Sequence, residues 1–222
     1  GDYLDSELSA VIDKDKIRAG LYKSYEKYAK GKKGIIYAID RKHANHICEL
    51  YATKGVSVCM IDGTTPTAER EQKIADFANG SIEVIVNVNI FSEGFDCPDI
   101  EFIQLARPTK SLSLYLQQVG RGLRISEGKE TTVILDNVGL YNRFGTPMAN
   151  RHWRYHFLGT DSEEGYNDGS GIKRDLILDS DSEYEPDYSE DDGEMVVVEH
   201  AEGNAQVRPD EANQAASLSE YN

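Results

Sequence analysis

Apolar and polar positions alternate along this chain with two different periods. Between Asp13 and Lys30, Ile17, Leu21, Tyr25 and Tyr28 recur every three or four residues, the spacing that lines one face of a helix. Gly31-Lys32-Lys33-Gly34 interrupts it. Short apolar runs then alternate with longer amphipathic stretches. The pattern predicts strands at Ile35–Ile39, Val56–Ile61, Ile82–Val88, Phe102–Leu105 and Thr131–Leu135. Between them it predicts helices at Arg41–Lys54, Pro66–Asn79 and Ser111–Arg124. Thr65 is the expected N-cap of the helix that Pro66 would open.

Strands alternating with helices imply right-handed crossovers and a parallel sheet covered on both faces. The expected fold class is therefore α/β, a three-layer lobe with a mostly parallel sheet. Its expected organisation is a helical lead-in over 1–32, the lobe with a short extension over 33–158, and an acidic low-complexity tail over 159–222. The tail is rich in Gly, Ser and acid, a composition that buries too little apolar surface to offset the entropy of ordering. Val196-Val197-Val198 stands out within it as a candidate short strand.

Charge sharpens this division. The formal charge is −15, yet 19 of the 39 acidic and 3 of the 24 basic residues lie in 159–222. The rest of the chain is nearly neutral, so the low overall charge says nothing against nucleic-acid binding by the lobe. A sharper reading of the acidic run Asp179–Glu194 is a mimic of nucleic acid that occupies a basic groove; a solvated appendage is the plainer one. Cys48, Cys59 and Cys97 form neither a disulfide framework nor a C-x-x-C pattern, and a reducing cytoplasm is expected. No run of eighteen apolar residues exists, so no membrane-spanning helix is expected. Gly1 stands where Met would open a full-length product, and a piece of a longer protein is expected.

In an open parallel sheet, ligands gather beyond the carboxyl ends of the strands. The loops there are Asp40-Arg41, Asp62-Gly63-Thr64-Thr65, Asn89 to Asp96, and Arg107-Pro108-Thr109. On the helix Ser111–Arg124, the stripe Leu112, Leu116, Val119 and Leu123 would anchor one side. Gln117, Arg121 and Arg124 share the opposite arc and would present an amide and two guanidiniums together. Arginine suits phosphate because its planar fork stays charged and binds bidentately. A solvated basic face explains the same spacing. Gly120 and Gly122 each cost about 1 kcal/mol inside a helix, which implies a close approach or a bend. His43 and His46, and His152 and His156, sit at metal-pair spacings without supporting ligands, so no metal site is expected in this chain. Arg143, Arg151, Trp153 and Arg154 form a basic–aromatic group that suits either base stacking or packing against the lobe.

Taken together, these segments resemble superfamily-two helicases of the DEAD/DEAH type. Gln117-Gln118-Val119-Gly120-Arg121-Gly122-Leu123-Arg124 resembles motif VI, Q-x-x-G-R-x-x-R. Ser92-Glu93-Gly94-Phe95-Asp96-Cys97-Pro98 resembles motif V, and Gly34-Ile35-Ile36-Tyr37-Ala38 the strand of motif IV. Asp62-Gly63-Thr64-Thr65-Pro66 with Glu69-Arg70 is similar to the motif between them, and order and spacing agree over residues 20–136. The E-G-F-D-x-P form and the R-P-T after the next strand are shared with the restriction-subunit-like and DNA-repair-like subgroup. The His-Arg opening of DEAD-box motif VI is missing, so DNA is favoured over RNA.

The resemblance implies a RecA-like fold and the role of second motor lobe. Arg121 and Arg124 would be arginine fingers toward the γ-phosphate of ATP, with Gln117 placing the nucleotide or the attacking water. Gly94, Asp96 and Gly120 would approach the nucleotide. Arg41, Lys42, Gly63, Thr64, Thr65 and Asn89 would hold strand phosphates. No G-x-x-x-x-G-K-[ST] and no D-E-x-H occur, so ATP and Mg2+ would be bound mainly by an N-terminal RecA-like lobe of the parent protein, and this chain alone would be inactive. The alternative is a non-catalytic nucleic-acid or protein interaction module that keeps the fold.

Overall fold

A computed structural model describes residues 2–89, 97–148, 166–167, 173–174, 194–201 and 204–209. Five parallel strands form the centre: β1 (Gly34–Tyr37), β2 (Val58–Asp62), β3 (Val84–Val88), β4 (Phe102–Leu105) and β5 (Thr131–Asp136), in the order β2-β3-β1-β4-β5. β1 is central, and its register places Ile35 between Ile85 and Ile103. All four of its residues are buried, as a strand covered on both faces requires.

Alternation along the strands sorts side chains into two cores. Ile36, Val84, Val86, Phe102, Val133 and Leu135 face α2 (Asp15–Tyr28) and α3 (Arg41–Thr53). Ile35, Ile85, Ile103, Leu105 and Ile134 face α4 (Thr67–Ala78), α5 (Leu112–Gly122) and the short α6 (Leu140–Phe144). The result is the three-layer α/β lobe with a parallel sheet that the pattern implies. The segment expected as a lead-in forms two helices. Within α2, Leu21, Tyr22 and Tyr25 join the core, where the rings of Tyr25, Tyr51 and Phe102 meet at centroid distances of 5.1 and 5.4 Å.

Several local expectations are corrected. A short helix α1 (Asp5–Ile12) precedes α2. Eight residues are too few for periodicity to declare it, and Leu8 and Ile12 hold it by packing on Ile39. The N-cap of α4 is Pro66, with no side-chain cap bond, because the Thr65 hydroxyl is engaged by Asp62. On α5 the buried positions are Tyr115, Gln118, Val119 and Gly122, while Leu112, Leu116 and Leu123 border them. The helix is turned so that Gly122 meets the sheet.

Beyond the lobe, β8 (Glu194–Ala201) pairs antiparallel with β5, and β9 (Asn204–Pro209) pairs with β8. The candidate strand Val196–Val198 lies inside β8. The pair β6 (Tyr166–Asn167) and β7 (Lys173–Arg174) forms a separate two-stranded ladder. Residues 179–193 of the acidic run fall outside the described residues, as do Arg151, His152, Trp153, Arg154 and His156. Among the described residues, no helix is long and apolar enough to cross a membrane.

Candidate functional site

The carboxyl edge of the sheet carries three adjoining groups of side chains. The first is built on Asp62 at the end of β2, which is 2% exposed. Its Oδ1 accepts the Thr64 amide and hydroxyl at 2.9 Å and the Thr65 hydroxyl at 3.0 Å. Its Oδ2 lies 2.5 Å from Arg41 Nε. Burial alone would raise its pKa; the Thr64 and Thr65 hydrogen bonds and the Arg41 charge outweigh that and lower it. Asp62 is therefore a fixed anion. Both threonine hydroxyls, expected at a phosphate, are turned to it instead. Gly63 remains exposed, with nothing within 4 Å of where a Cβ would stand. The Arg41 side chain is held by Asp62 yet 60% exposed.

The second group lines a cavity of about 200 Å³ between the strand ends and α5, formed by Tyr37, Ala38, Asn87, Asn89, Arg107, Leu114, Gln117 and Gln118. Asn89 takes a left-handed backbone, φ 57°, just beyond β3. Arg107 donates to the Asn89 side chain and, at 3.0 Å, to Asp5. Asp2 accepts from the Thr109 hydroxyl and the Lys110 amide, so the N-terminal segment is pinned to the loop after β4. Tyr37 donates to the Gln118 carbonyl oxygen at 3.3 Å. Its pKa is raised by burial, against the opposing pull of Arg121. The Gln118 side-chain Oε1 is buried without a hydrogen-bond partner.

The third group is the outer face of α5. Ser111 caps the helix by accepting the Leu114 amide at 3.2 Å. Gly122 lies on the sheet, where a Cβ would meet Ile103 Cγ1 at 2.7 Å and Thr132 Cγ2 at 2.8 Å. The close approach inferred from its presence is thus to the protein's own strands. Gly120 differs: nothing lies within 4 Å of its missing Cβ. Gln117, Gly120 and Arg121 lie on the arc opposite the buried stripe; the helix expected to run to Arg124 ends at Gly122, so Arg124 lies just past its C-cap, and none of the four is buried. At the helix end, the Lys129 ammonium donates to the Gly122, Arg124 and Pro98 carbonyls.

The structure thus brings Arg41, Gly63, Thr64 and Thr65 together around Asp62, and Asn89 together with Gln117 around the cavity. Gly94 and Asp96 lie outside the described residues. Sequence reasoning assigns no role to Asn87 or Lys129, and names Arg107 only within its edge loop and Tyr37 and Gln118 only within the motif resemblance. For Lys129 a signal existed: a cation beyond a Gly turn suits the bare carbonyls of a preceding helix end. His43 and His46 have local roles. His43 Nδ1 accepts the Ile39 amide at 3.4 Å, and His46 Nδ1 lies 2.8 Å from Asp13. On α6, the Arg143 guanidinium lies 5.5 Å from the Phe144 ring centroid.

Residues 15–126 match the family described as helicase conserved C-terminal domain. The chain is 36% identical over 165 residues to a 51.5 kDa protein of a Lactococcus phage, covering 74% of this chain and 36% of that one. It is 35% identical over 141 residues to the protein named ATP-dependent helicase IRC3 of Saccharomyces cerevisiae, covering 62% and 20%. Among solved structures, it is similar to the Pyrococcus furiosus Hef helicase domain at 21% identity and TM-score 0.40, over 55% of this chain and 24% of that one. The chain therefore spans about a third and a fifth of the length of the two sequence relatives.

Proposed function

The chain belongs to the helicase conserved C-terminal domain family, and from that premise we propose that it serves as the second motor lobe of an ATP-dependent DNA helicase or translocase. The observation that carries this reading is the face of α5. Gln117 and Arg121 lie on the arc away from the sheet, around an uncovered Gly120, and Arg124 follows just past the helix end. An apposed lobe holding ATP would bring its γ-phosphate to that face. Two guanidiniums would then stabilise charge spreading over the transferring phosphoryl group, a contribution of about a thousand-fold or more in such motors. Gln117 would orient the nucleotide or the attacking water.

ATP and Mg2+ would be held mainly by the first lobe. Among the described residues, no cluster of three His, Cys, Asp or Glu side chains is placed to hold a metal, so nothing here is assigned to it. The nucleic-acid groove would run along the same edge. Arg41 is held by Asp62 and faces solvent, a fixed charge for a phosphate. Gly63 offers backbone approach, while Thr64 and Thr65 shape the turn that presents it. Asn89 would join from the end of β3, and Gly94 and Asp96 enter on the motif resemblance alone. Closure of the two lobes around ATP and reopening after hydrolysis would step the protein along a strand. A reducing, cytoplasmic setting belongs to the same proposal, with Cys48, Cys59 and Cys97 as free thiols.

The test is ATP turnover by a two-lobed protein containing this chain, with single-stranded DNA, with RNA, and with neither. Stimulation by DNA above RNA, with this chain alone inert, is expected. Stimulation by RNA alone would overturn the substrate. Turnover indifferent to both would favour the non-catalytic interaction module.

A further inference from the structure

The last carbonyls of a helix have no partners within it and must find them elsewhere. At the end of α5 they converge on one side chain. Lys129 Nζ lies 2.5 Å from the Gly122 oxygen, 2.7 Å from the Arg124 oxygen and 3.0 Å from the Pro98 oxygen. Thr132 Oγ1 donates to the Gly122 oxygen as well, at 2.6 Å. Two of the carbonyls thus belong to the turn that carries Arg121 and Arg124. The third belongs to Pro98, which closes the segment resembling motif V. An ammonium is the fitting donor, because it carries three N–H bonds from one point.

We infer that Lys129 is a positioning residue for the motor: its ammonium ties the arginine-bearing end of α5 to the loop at Pro98 ahead of β4, so that the two move as one body. This rests on the proposed role of α5. The arginine-bearing turn would then be held against the sheet edge by a single charged group outside the proposed ligand contacts.

Among the described residues, the charges facing Lys129 are few. Asp99 and Glu101 face it from the segment ahead of β4, where Asp99 is also bound by Lys33 at 2.6 Å and Glu101 accepts the Lys33 amide at 2.9 Å. Arg124 belongs to the α5 side, and Glu127 and Glu130 on its own turn are exposed. Burial outweighs the two carboxylates and pulls the Lys129 pKa down to about 8. Below that pH the ammonium supplies three donors; above it the amine supplies two and no charge.

The test joins two readouts. In the two-lobed protein, Lys129→Met should lower kcat about ten-fold or more, the scale of a misplacement of under an ångström, with the KM for ATP little changed. Wild-type kcat should fall as pH rises through about 8. Lys129→Arg should recover most of the turnover and flatten that fall, since its charge persists. In this chain by itself, amide exchange over residues 120–125 should quicken in Lys129→Met. Wild-type kcat in Lys129→Met, or unchanged exchange, would overturn the inference. Should Lys129→Met fail to fold, the pH profile of Lys129→Arg decides: a flat profile supports the clamp, and a fall like the wild type's overturns it. Full turnover in Arg121→Ala would instead remove the proposed role of α5 while leaving the exchange result to judge the clamp.

Discussion

Two buried glutamines occupy opposite faces of the same sheet, and they live in different surroundings. Gln104 on β4 is fully enclosed and fully satisfied: its Nε2 donates to the Leu21 carbonyl at 2.8 Å and to Asn137 Oδ1 at 2.9 Å, and its Oε1 accepts from Tyr51 at 2.8 Å. Asn137 donates onward to Ser24 at 2.9 Å. That network fastens α2 and α3 to β4 and to the end of β5. Gln118 on α5 is 5% exposed, yet its Oε1 has no partner and borders the cavity at the strand ends. A buried polar atom without a partner carries a desolvation cost of about 1–3 kcal/mol. For Gln104, on the α2–α3 face, the fold meets that demand internally. It leaves the demand open on the α5 face, where a second lobe is proposed to arrive.

The sharpest way to break this comparison is to remove each amide in turn. Gln104→Leu leaves Asn137 Oδ1 without its donor and the Tyr51 hydroxyl with only the Leu21 carbonyl, and should cost about 1–3 kcal/mol in urea or thermal unfolding of this chain. Gln118→Leu removes an atom that is already unpartnered and should change stability by less than about 1 kcal/mol. Equal losses in the two variants would show that both amides merely hold the fold.

A smaller effect separates the two glycines of α5. Gly122→Ala drives a methyl group into Ile103 and Thr132 and should cost about 1–3 kcal/mol. Gly120→Ala meets open space and should be neutral or stabilising by up to about 1 kcal/mol from helix propensity. In a two-lobed protein it should nonetheless slow ATP turnover, because its methyl group occupies the proposed approach to the nucleotide. Unchanged turnover would place the other lobe elsewhere.

The same contrast explains what could be read in the residues alone. The strand Phe102–Leu105 follows from short-range periodicity and stands where periodicity puts it; of the polar arc, Gln117 and Arg121 lie on α5, while Arg124 falls past the end of the helix. Helix α1 escaped because it is held by Ile39, a contact some thirty residues away that no local pattern announces. The Thr64 and Thr65 hydroxyls looked available because a sequence does not show which way a hydroxyl turns; Asp62, two or three residues earlier, claims both. Arg107 is held by Asn89 and Asp5, and Lys129 by a carbonyl at Pro98. The Arg107 contacts exist only once β3 and β4 flank β1, and the Lys129 contact only once β4 and β5 lie side by side. Motif resemblance reached part of this edge, through residue types rather than through contacts.

The most direct test of the account is the ATP turnover of Arg121→Ala in a two-lobed protein containing this chain, at saturating ATP and DNA. The account predicts a fall of about a thousand-fold, with nucleotide binding retained and the unfolding transition unmoved. Turnover within a few-fold of wild type would contradict it and leave α5 as a basic helix face on an α/β lobe.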